Sequence, residues 1–223
     1  MGHETITRVK ICCIQDINEG WMAVRQGASA VGLVSEMPSG PGVIPEDRIA
    51  AIAAELPPAL GVFLLTSRLD VDQIIAQQRR CRVNTIQVCD RLGYDAYPKL
   101  RAFLPGVSIV QVVHVIDQSA LDEAEAVAPL VDGILLDSGN PNLPEKQLGG
   151  TGLVHDWAIS RRIVERISRP VFLAGGLRAS NVAEAIQAVR PYAVDVCSGV
   201  RTDGKLDAVK LGAFFDAVRG VAG

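Results

Sequence analysis

The sequence predicts an α/β fold, a (β/α)₈ TIM barrel formed by a single domain over residues 1–223. Eight short runs rich in β-branched residues alternate with eight longer amphipathic stretches. The short runs are apolar on both faces, which is typical of parallel strands covered by helices. Eight such units in 223 residues suit a closed barrel, with a doubly wound open sheet as the alternative.

Each predicted unit is a strand followed by a helix. The strands are expected at residues 9–13, 30–34, 61–65, 85–88, 108–113, 133–137, 170–174 and 193–197. The helices are expected at residues 17–26, 45–55, 71–79, 94–103, 119–127, 157–166, 181–189 and 207–218. Asp70, Ser119 and Ser180 are of the residue types that cap helix N-termini, and Pro57-Pro58 is expected to stop the second helix.

Composition and charge exclude several classes of protein. The chain has 22 Lys and Arg against 25 Asp and Glu, and a net charge of −3 provides no basic surface for nucleic acid. No apolar stretch reaches the roughly 18 residues of a membrane span, and the N-terminal residues lack an export signal. The five cysteines form an odd set without Cys-x-x-Cys spacing, which predicts neither a disulfide framework nor a zinc ribbon. We therefore expect a cytoplasmic protein.

Cys12 and Asp137 are the candidate catalytic residues, because each closes a buried strand at the end where barrels carry their active sites. Lys10 shares a strand face with Cys12, and its ammonium is expected to lower the pKa of the thiol and make it a general base. Asp137 follows three apolar residues, and a carboxyl in such a setting can hold a proton and act as a general acid. The alternatives are a buried structural thiol and a carboxyl that caps the next loop.

Two glycine-bearing turns lie downstream, one containing Gly175 and Gly176 and the other Ser198 and Gly199. Such turns offer backbone amides to a phosphate, and barrels often build a phosphate site after strands seven and eight. Either turn alone would be an ordinary tight turn. A thiol, a carboxyl and a phosphate cup together predict proton transfer on a sugar phosphate.

Several segments carry a resemblance to a known family. They include Val9-Lys10-Ile11-Cys12, Leu135-Leu136-Asp137-Ser138, Gly149-Gly150-Thr151-Gly152, the LAGGL segment at 173–177, and Ser198-Gly199-Val200. In order and spacing the chain resembles the phosphoribosylanthranilate isomerase family of tryptophan biosynthesis over nearly its whole length. The resemblance implies an Amadori rearrangement of N-(5-phosphoribosyl)anthranilate, with Cys12 as general base and Asp137 as general acid.

The same resemblance implies how the substrate would be held. The phosphate would lie near Gly175, Gly176, Ser198 and Gly199, and residues 149–152 would form a mobile loop over the sugar, with a plain surface turn as the alternative. The further candidates for substrate binding or for this lid are Lys10, Gln87, Cys89, His114, Gly149, Gly150, Gly152, Asp195 and Arg201. The implied partner is a small phosphoribosyl amine, the protein would be a monomer or a homodimer, and the chemistry needs no cofactor and no metal.

The chain departs from the family pattern in the loops that would contact the aglycone. The family usually has Ser-Pro-Arg after strand two, whose arginine reads the anthranilate carboxylate, whereas residues 37–43 of this chain contain no arginine. Cys89 replaces a histidine, Cys13 replaces a glycine and Arg201 replaces a glutamate. Loss of the arginine should weaken recognition of anthranilate, unless Arg201 or His114 takes its place.

Three alternatives remain open at this stage. A paralogue could perform the same isomerisation on a different phosphoribosyl amine. A phosphate-binding barrel without turnover would be expected to have a broken acid or base, yet both are present. A soft-metal site is the third alternative, since thiolates, imidazole and carboxylate all follow strand ends; its ligands would come from Cys12, Cys89, Cys197, His114 and Asp137.

Overall fold

A computed structural model of the chain describes residues 7–150 and 152–222. Eight parallel strands form a closed barrel in chain order, and the first strand pairs with the eighth. The strands β1 to β8 are Arg8–Ile11, Ala30–Val34, Gly61–Thr66, Thr85–Val88, Ser108–His114, Gly133–Asp137, Val171–Leu173 and Ala193–Val196. The predicted (β/α)₈ barrel is therefore confirmed, and the open-sheet alternative is wrong.

Helices follow the strands and cover the barrel from outside. The helices α1 to α8 are Ile17–Gln26, Glu46–Glu55, Val71–Cys81, Ala96–Phe103, Ser119–Val127, Trp157–Arg166, Val182–Val189 and Ala208–Arg219. Short 3-10 helices lie at Ala128–Leu130, Ser198–Val200 and Gly220–Ala222, and a small hairpin pairs β9 (Arg201–Thr202) with β10 (Lys205–Leu206). A single domain over residues 1–223 stays a prediction, and residues 1–6, 151 and 223 lie outside the described part.

The strands are apolar on both faces because one face fills the barrel and the other packs under the helices. All five residues of β2 are buried. The outward-facing strand residues join the helix faces in one core cluster, and the inward-facing ones, such as Phe63, Leu65 and Phe172, form a second cluster inside the barrel. Gly32 in β2 is required by close packing, since a Cβ there would lie 2.8 Å from Cys12 Sγ and 3.1 Å from Lys10 Nζ. A glycine in the second strand thus makes room for two candidate site residues of the first.

The first strand ends earlier than predicted. It stops at Ile11, so that Cys12 and Cys13 belong to the loop that follows it. Cys13 has a left-handed backbone with φ of 63°, which an extended strand cannot accommodate. The Cys12 backbone N–H still donates to Val196 O at 2.8 Å, which keeps Cys12 against the end of β8.

Of the three predicted helix caps, one is confirmed. The Asp70 carboxylate accepts from the Gln73 backbone N–H at 2.8 Å and caps α3. The predictions at Ser119 and Ser180 are wrong. Ser119 is the first residue of α5, and its N–H donates to the Asp117 carboxylate at 2.8 Å, whereas the Ser180 hydroxyl accepts from the Arg178 guanidinium at 3.0 Å.

Candidate active site

The ends of the strands surround a cavity at the mouth of the barrel, partly open to solvent. Most of the residues predicted from the sequence line it: Cys12, Gln87, Cys89, Asp137, Gly149, Gly150, Gly152, Gly175, Gly176, Asp195 and Ser198. Lys10, His114, Gly199 and Arg201 do not face it. The structure therefore brings the candidate acid, the candidate base and the candidate phosphate turns to one site.

Cys12 lies at the mouth between β1 and β2, and its side chain is buried. Burial raises the pKa of the Cys12 thiol to about 11, because desolvation of the thiolate outweighs the attraction of the Lys10 ammonium. The expectation that Lys10 lowers this pKa below its ordinary value is wrong for this reason. Lys10 does oppose the effect of burial on this pKa, but it does not reverse it.

Lys10 and Asp195 form a buried ion pair below the cavity, with Lys10 Nζ 2.9 Å from Asp195 Oδ2. Burial alone would lower the pKa of the fully buried lysine, but the Asp195 carboxylate outweighs it and the net shift is upward. The ammonium also lies over the Phe63 ring, 5.2 Å from its centroid. Lys10 is therefore a fixed cation beneath Cys12, out of contact with the cavity.

Two buried acceptors at the cavity have no hydrogen-bond partner among the described residues. They are the second carboxylate oxygen of Asp195, Oδ1, and the amide oxygen of Gln87, Oε1. Both residues line the cavity. The Asp195 carboxylate is bonded to Lys10 below it, and the Gln87 amide donates to Cys89 Sγ at 3.8 Å. Buried polar atoms are usually paired, so these two oxygens are unsatisfied acceptors beside the cavity.

Asp137 is the last residue of β6 and faces the cavity from the side of β5 to β7. One carboxylate oxygen accepts from the Ser138 backbone N–H at 2.7 Å. Burial raises the pKa of Asp137, and the Ser138 N–H and the neighbouring His114 oppose that shift without cancelling it. The predicted direction is therefore correct, and the carboxyl is suited to hold a proton.

The glycine turns adopt the backbone shapes that their sequence suggests. Gly175 and Gly176 have φ of 86° and 61°, in the left-handed region that glycine reaches most readily. Gly199 lies behind Ser198, and a Cβ there would come within 2.0 Å of Leu177 O. The two turns are thus packed directly on each other at the ends of β7 and β8, with Gly175, Gly176 and Ser198 exposed to the cavity.

The loop from β6 to α6 lies over the mouth. Gly149 is so close to Asp137 that a Cβ would come within 2.6 Å of its Oδ2, and a Cβ at Gly150 would come within 2.6 Å of Pro41 Cδ. Gly152 lies against Gly176, because a Cβ added at Gly176 would lie 2.9 Å from Gly152 O. The loop therefore covers the acid and one phosphate turn, while Thr151 of the predicted lid lies outside the described residues.

Arg201 and His114 do not take the place of the missing arginine. The Arg201 guanidinium donates to both carboxylate oxygens of Glu19 at 3.0 Å and also to the backbone carbonyls of Cys12 and Cys13. His114 is buried, with Nε2 3.1 Å from Cys89 O. Arg201 thus anchors the loop that carries the candidate base, and His114 packs beneath the mouth, so neither side chain lines the cavity.

The expectation about the cysteines is wrong for one pair. Cys13 and Cys197 form a disulfide, with Cα atoms 5.9 Å apart, although 184 residues separate them. Closure of the barrel makes β1 and β8 neighbours, and each cysteine follows one of these strands. Cys12, Cys81 and Cys89 are free and buried. An odd number of cysteines therefore did not exclude a bridge.

The soft-metal alternative finds no support in the structure. Within residues 7–150 and 152–222, no three His, Cys, Asp or Glu side chains come together in a way that could hold a metal ion.

None of the helices in this part of the chain combines the length and the apolar character that crossing a bilayer requires.

Sequence reasoning missed the contacts that join the loops above the cavity. The Ser39 hydroxyl donates to Lys146 O at 2.6 Å, and Lys146 Nζ lies 2.5 Å from Asp90 Oδ2. These residues come from the loops after β2, β6 and β4, and no motif marks Ser39 or Lys146 as functional. The Cys13–Cys197 pair did carry a signal, because both residues follow strands that a closed barrel must pair.

Comparison with known proteins identifies the family. Residues 9–217 match the sequence model of the N-(5'-phosphoribosyl)anthranilate (PRA) isomerase family. The chain belongs to this family. It is 35% identical over 206 residues to N-(5'-phosphoribosyl)anthranilate isomerase 2 of Methanosarcina mazei, covering 92% of this chain and 90% of that protein. It is 37% identical to the Haloferax volcanii isomerase, covering 98% and 96% of the two chains.

Solved structures of phosphoribosylanthranilate isomerases share the barrel. The enzyme from Thermotoga maritima superposes with a TM-score of 0.82 at 29% identity, covering 96% of this chain and 99% of that one. Another structure holds reduced 1-(o-carboxyphenylamino)-1-deoxyribulose 5-phosphate and superposes with a TM-score of 0.80 at 27% identity, with the same coverage of the two chains. The similarity to phosphoribosylanthranilate isomerases therefore extends over nearly the whole fold.

Proposed function

We propose that this protein is a phosphoribosylanthranilate isomerase that converts N-(5-phosphoribosyl)anthranilate into 1-(2-carboxyphenylamino)-1-deoxyribulose 5-phosphate. The observation that carries the proposal is that Cys12 and Asp137 line one cavity in a chain of this family. The reaction moves hydrogen within one sugar, from C2′ to C1′, and so is an aldose–ketose isomerisation within tryptophan biosynthesis. Because oxidation at one carbon balances reduction at the next, no redox cofactor is needed.

Asp137 is the general acid in this proposal. Its raised pKa keeps a proton on the carboxyl, and that proton passes to the ring oxygen of the ribose as the C1′–O bond breaks. The lone pair of the aniline nitrogen forms a C=N bond and leaves an open-chain iminium. The N–H that Ser138 donates stabilises the carboxylate that Asp137 becomes.

Cys12 is the general base. The thiol must first give up its own proton to solvent, because burial raises its pKa. The thiolate then removes the proton from C2′, and the electron pair of the C–H bond moves toward the iminium to give a neutral enolamine. Protonation at C1′ and loss of the hydroxyl proton at O2′ then yield the ketone. Lys10, fixed below the cysteine by Asp195, is the charge that favours the thiolate against the cost of burial.

The phosphate and the sugar are held by different chemical groups. Backbone amides of the turns at Gly175, Gly176, Ser198 and Gly199 would donate to the phosphate, since nests of this kind are suited to anions. The unpaired oxygens of Gln87 and Asp195 would accept from the sugar hydroxyls or the amine. The loop that contains Gly149, Gly150 and Gly152 would exclude water from the acid.

Turnover tests this function directly. The wild-type protein is incubated with N-(5-phosphoribosyl)anthranilate, loss of substrate fluorescence is followed, and the product is identified by mass spectrometry and by its carbonyl group. Saturable conversion supports the isomerase. Binding without conversion would instead favour a barrel that only holds the ligand, and conversion of other phosphoribosyl amines alone would favour the paralogue.

A cytoplasmic location and a monomeric or homodimeric state belong to the same proposal. Three buried free thiols fit a reducing compartment, whereas a disulfide such as Cys13–Cys197 is rare in one and counts against it. One of the structural relatives is described as monomers generated from the dimeric enzyme of Thermotoga maritima, and it superposes with a TM-score of 0.79 at 26% identity. Both states are therefore attested for this fold.

A further inference from the structure

The proposed substrate carries two anionic groups, and the cavity offers no cation to either. Among the described residues that line it, the charged side chains are Asp137 and Asp195. Backbone amides can satisfy the phosphate at the ends of β7 and β8. We place the aryl group on the opposite side, toward β2 to β4, where Val34, Met37, Leu65 and Cys89 give a mostly apolar lining and Leu148 of the loop after β6 lies over it. A carboxylate on that ring needs a positive partner on this side of the mouth.

Most cations near the strand ends are held elsewhere. Lys10 lies below the cavity and is paired with Asp195. The arginines after β3, β4 and β8 pair with carboxylates on the outer helices α2, α5 and α1: Arg68 with Glu46, Arg91 with Glu123 and Arg201 with Glu19. Each of these pairs draws its guanidinium away from the mouth.

Lys146 is placed differently. Its ammonium is 2.5 Å from Asp90, which directly follows the cavity residue Cys89, and its carbonyl accepts from Ser39, another cavity residue, at 2.6 Å. The side chain of Asp90 is 8% exposed and that of Lys146 is 41% exposed. Neither Lys146 nor Asp90 lines the cavity itself, but Ser39 and Cys89, to which they are tied, do. The ammonium is therefore held beside the rim near the loops after β2 and β4, with one flank open to solvent.

We propose that Lys146 binds the carboxylate of the aglycone and is the residue that makes this barrel select a carboxyphenyl amine. The inference rests on the proposed function and assigns its specificity to one side chain. An ammonium has three donors, so that Lys146 can keep its contact with Asp90 while it donates to a ligand carboxylate. Asp90 then serves as a positioning residue that holds the ammonium at the rim before the ligand arrives.

Binding measurements with a matched ligand pair test this assignment without relying on turnover. One ligand is reduced 1-(o-carboxyphenylamino)-1-deoxyribulose 5-phosphate, and the other is the same compound with a phenyl ring lacking the carboxyl. Calorimetry gives Kd for the wild type, Lys146→Met and Lys146→Arg. Lys99→Met is the control, since Lys99 is a similarly exposed lysine paired with Asp72 far from the mouth.

Loss of a charge-assisted contact of this kind is worth about a factor of ten in Kd. We expect Lys146→Met to raise Kd for the carboxylated ligand about tenfold and to leave Kd for the phenyl ligand unchanged. Lys146→Arg and Lys99→Met should keep the wild-type preference for the carboxylated ligand over the phenyl ligand. An equal effect of Lys146→Met on both ligands, or none on either, would overturn the assignment. Failure of the proposed function would appear separately, as tight binding of the carboxylated ligand with no conversion of substrate by the wild type.

Discussion

Cys12 and Asp137 both lose contact with water at the mouth of the barrel, and burial raises the pKa of each. For the proposed catalytic roles the consequences are opposite. A raised pKa keeps the proton on Asp137, which the proposed ring-opening step requires, but it also keeps the proton on Cys12. The Lys10 ammonium is the neighbour that does most to favour the thiolate. The surroundings therefore favour the proposed acid, while the proposed base depends on a buried cation.

The raised pKa of Asp137 should cost stability. Its ordinary pKa is 3.8, so the penalty for the buried carboxylate is absent below that pH and grows as the pH rises through the higher value of the folded state. We expect Asp137→Asn to raise the free energy of unfolding at pH 7, measured by urea denaturation, and to raise it less at pH 4.

Asp122→Asn, a change at an exposed position in α5, is the control and should stay within about 0.5 kcal/mol of the wild type. A lower stability of Asp137→Asn at pH 7 would show that the ionised carboxyl is stabilised by the site rather than strained by it.

Lys10→Met should destabilise the protein strongly, because it leaves the Asp195 carboxylate buried and unpaired. Breaking a buried pair in this way costs about 3–5 kcal/mol. The pKa of Lys10 is raised above its ordinary 10.5, so the stability that the pair contributes is complete below pH 10.5 and is lost only as the pH rises through the folded value. Urea denaturation at pH 7 therefore measures its full effect.

The double variant Lys10→Met with Asp195→Asn is the matched control, since it removes both charges. It should recover a large part of the lost stability. If the double variant loses as much stability as Lys10→Met and Asp195→Asn lose separately when their losses are added, the two side chains do not act as a pair.

At the level of elements, the disulfide ties the loops after β1 and β8, which carry the proposed base and one of the proposed phosphate turns. Its closed loop spans 184 residues, and bridges over long loops stabilise mainly by restricting the unfolded chain. We expect reductant to lower the free energy of unfolding by about 2–4 kcal/mol. The unfolded protein should show three free thiols before reduction and five after it.

Cys13→Ser combined with Cys197→Ser is the control, and its stability should not respond to reductant. Five free thiols in the untreated protein would contradict the bridge. This measurement would also bear on the compartment, because a persistent bridge requires an oxidising history or protection from thiols.

The elements that the sequence predicted well are those set by local patterns. Runs of β-branched residues located all eight strands, and Asp70 marked the start of α3, because burial and capping act within a few residues. The β1 boundary was missed since it depends on a left-handed residue, Cys13, whose carbonyl and sulfur are held by Arg201 and Cys197. Those partners lie more than 180 residues away in the chain.

At the level of the whole molecule, closure of the barrel explains which parts of the site could be predicted. Strand ends converge on one mouth in any such barrel, so Cys12, Asp137 and the glycine turns could be placed together from their positions alone. Contacts between loops follow no such rule. The Ser39–Lys146–Asp90 chain and the anchoring of Arg201 on Glu19 arise from side-chain reach across the mouth, which sequence spacing does not encode.

The central claim is that Cys12 and Asp137 transfer the protons of the isomerisation. Its most direct test is kcat/KM on N-(5-phosphoribosyl)anthranilate for Cys12→Ser and Asp137→Asn, with Cys81→Ser as a control at a free cysteine of α3, away from the mouth. The account predicts a loss of about 100-fold or more for each site variant, at little change in Kd for the reduced product, and wild-type activity for Cys81→Ser. Retention of wild-type activity by either site variant would contradict it.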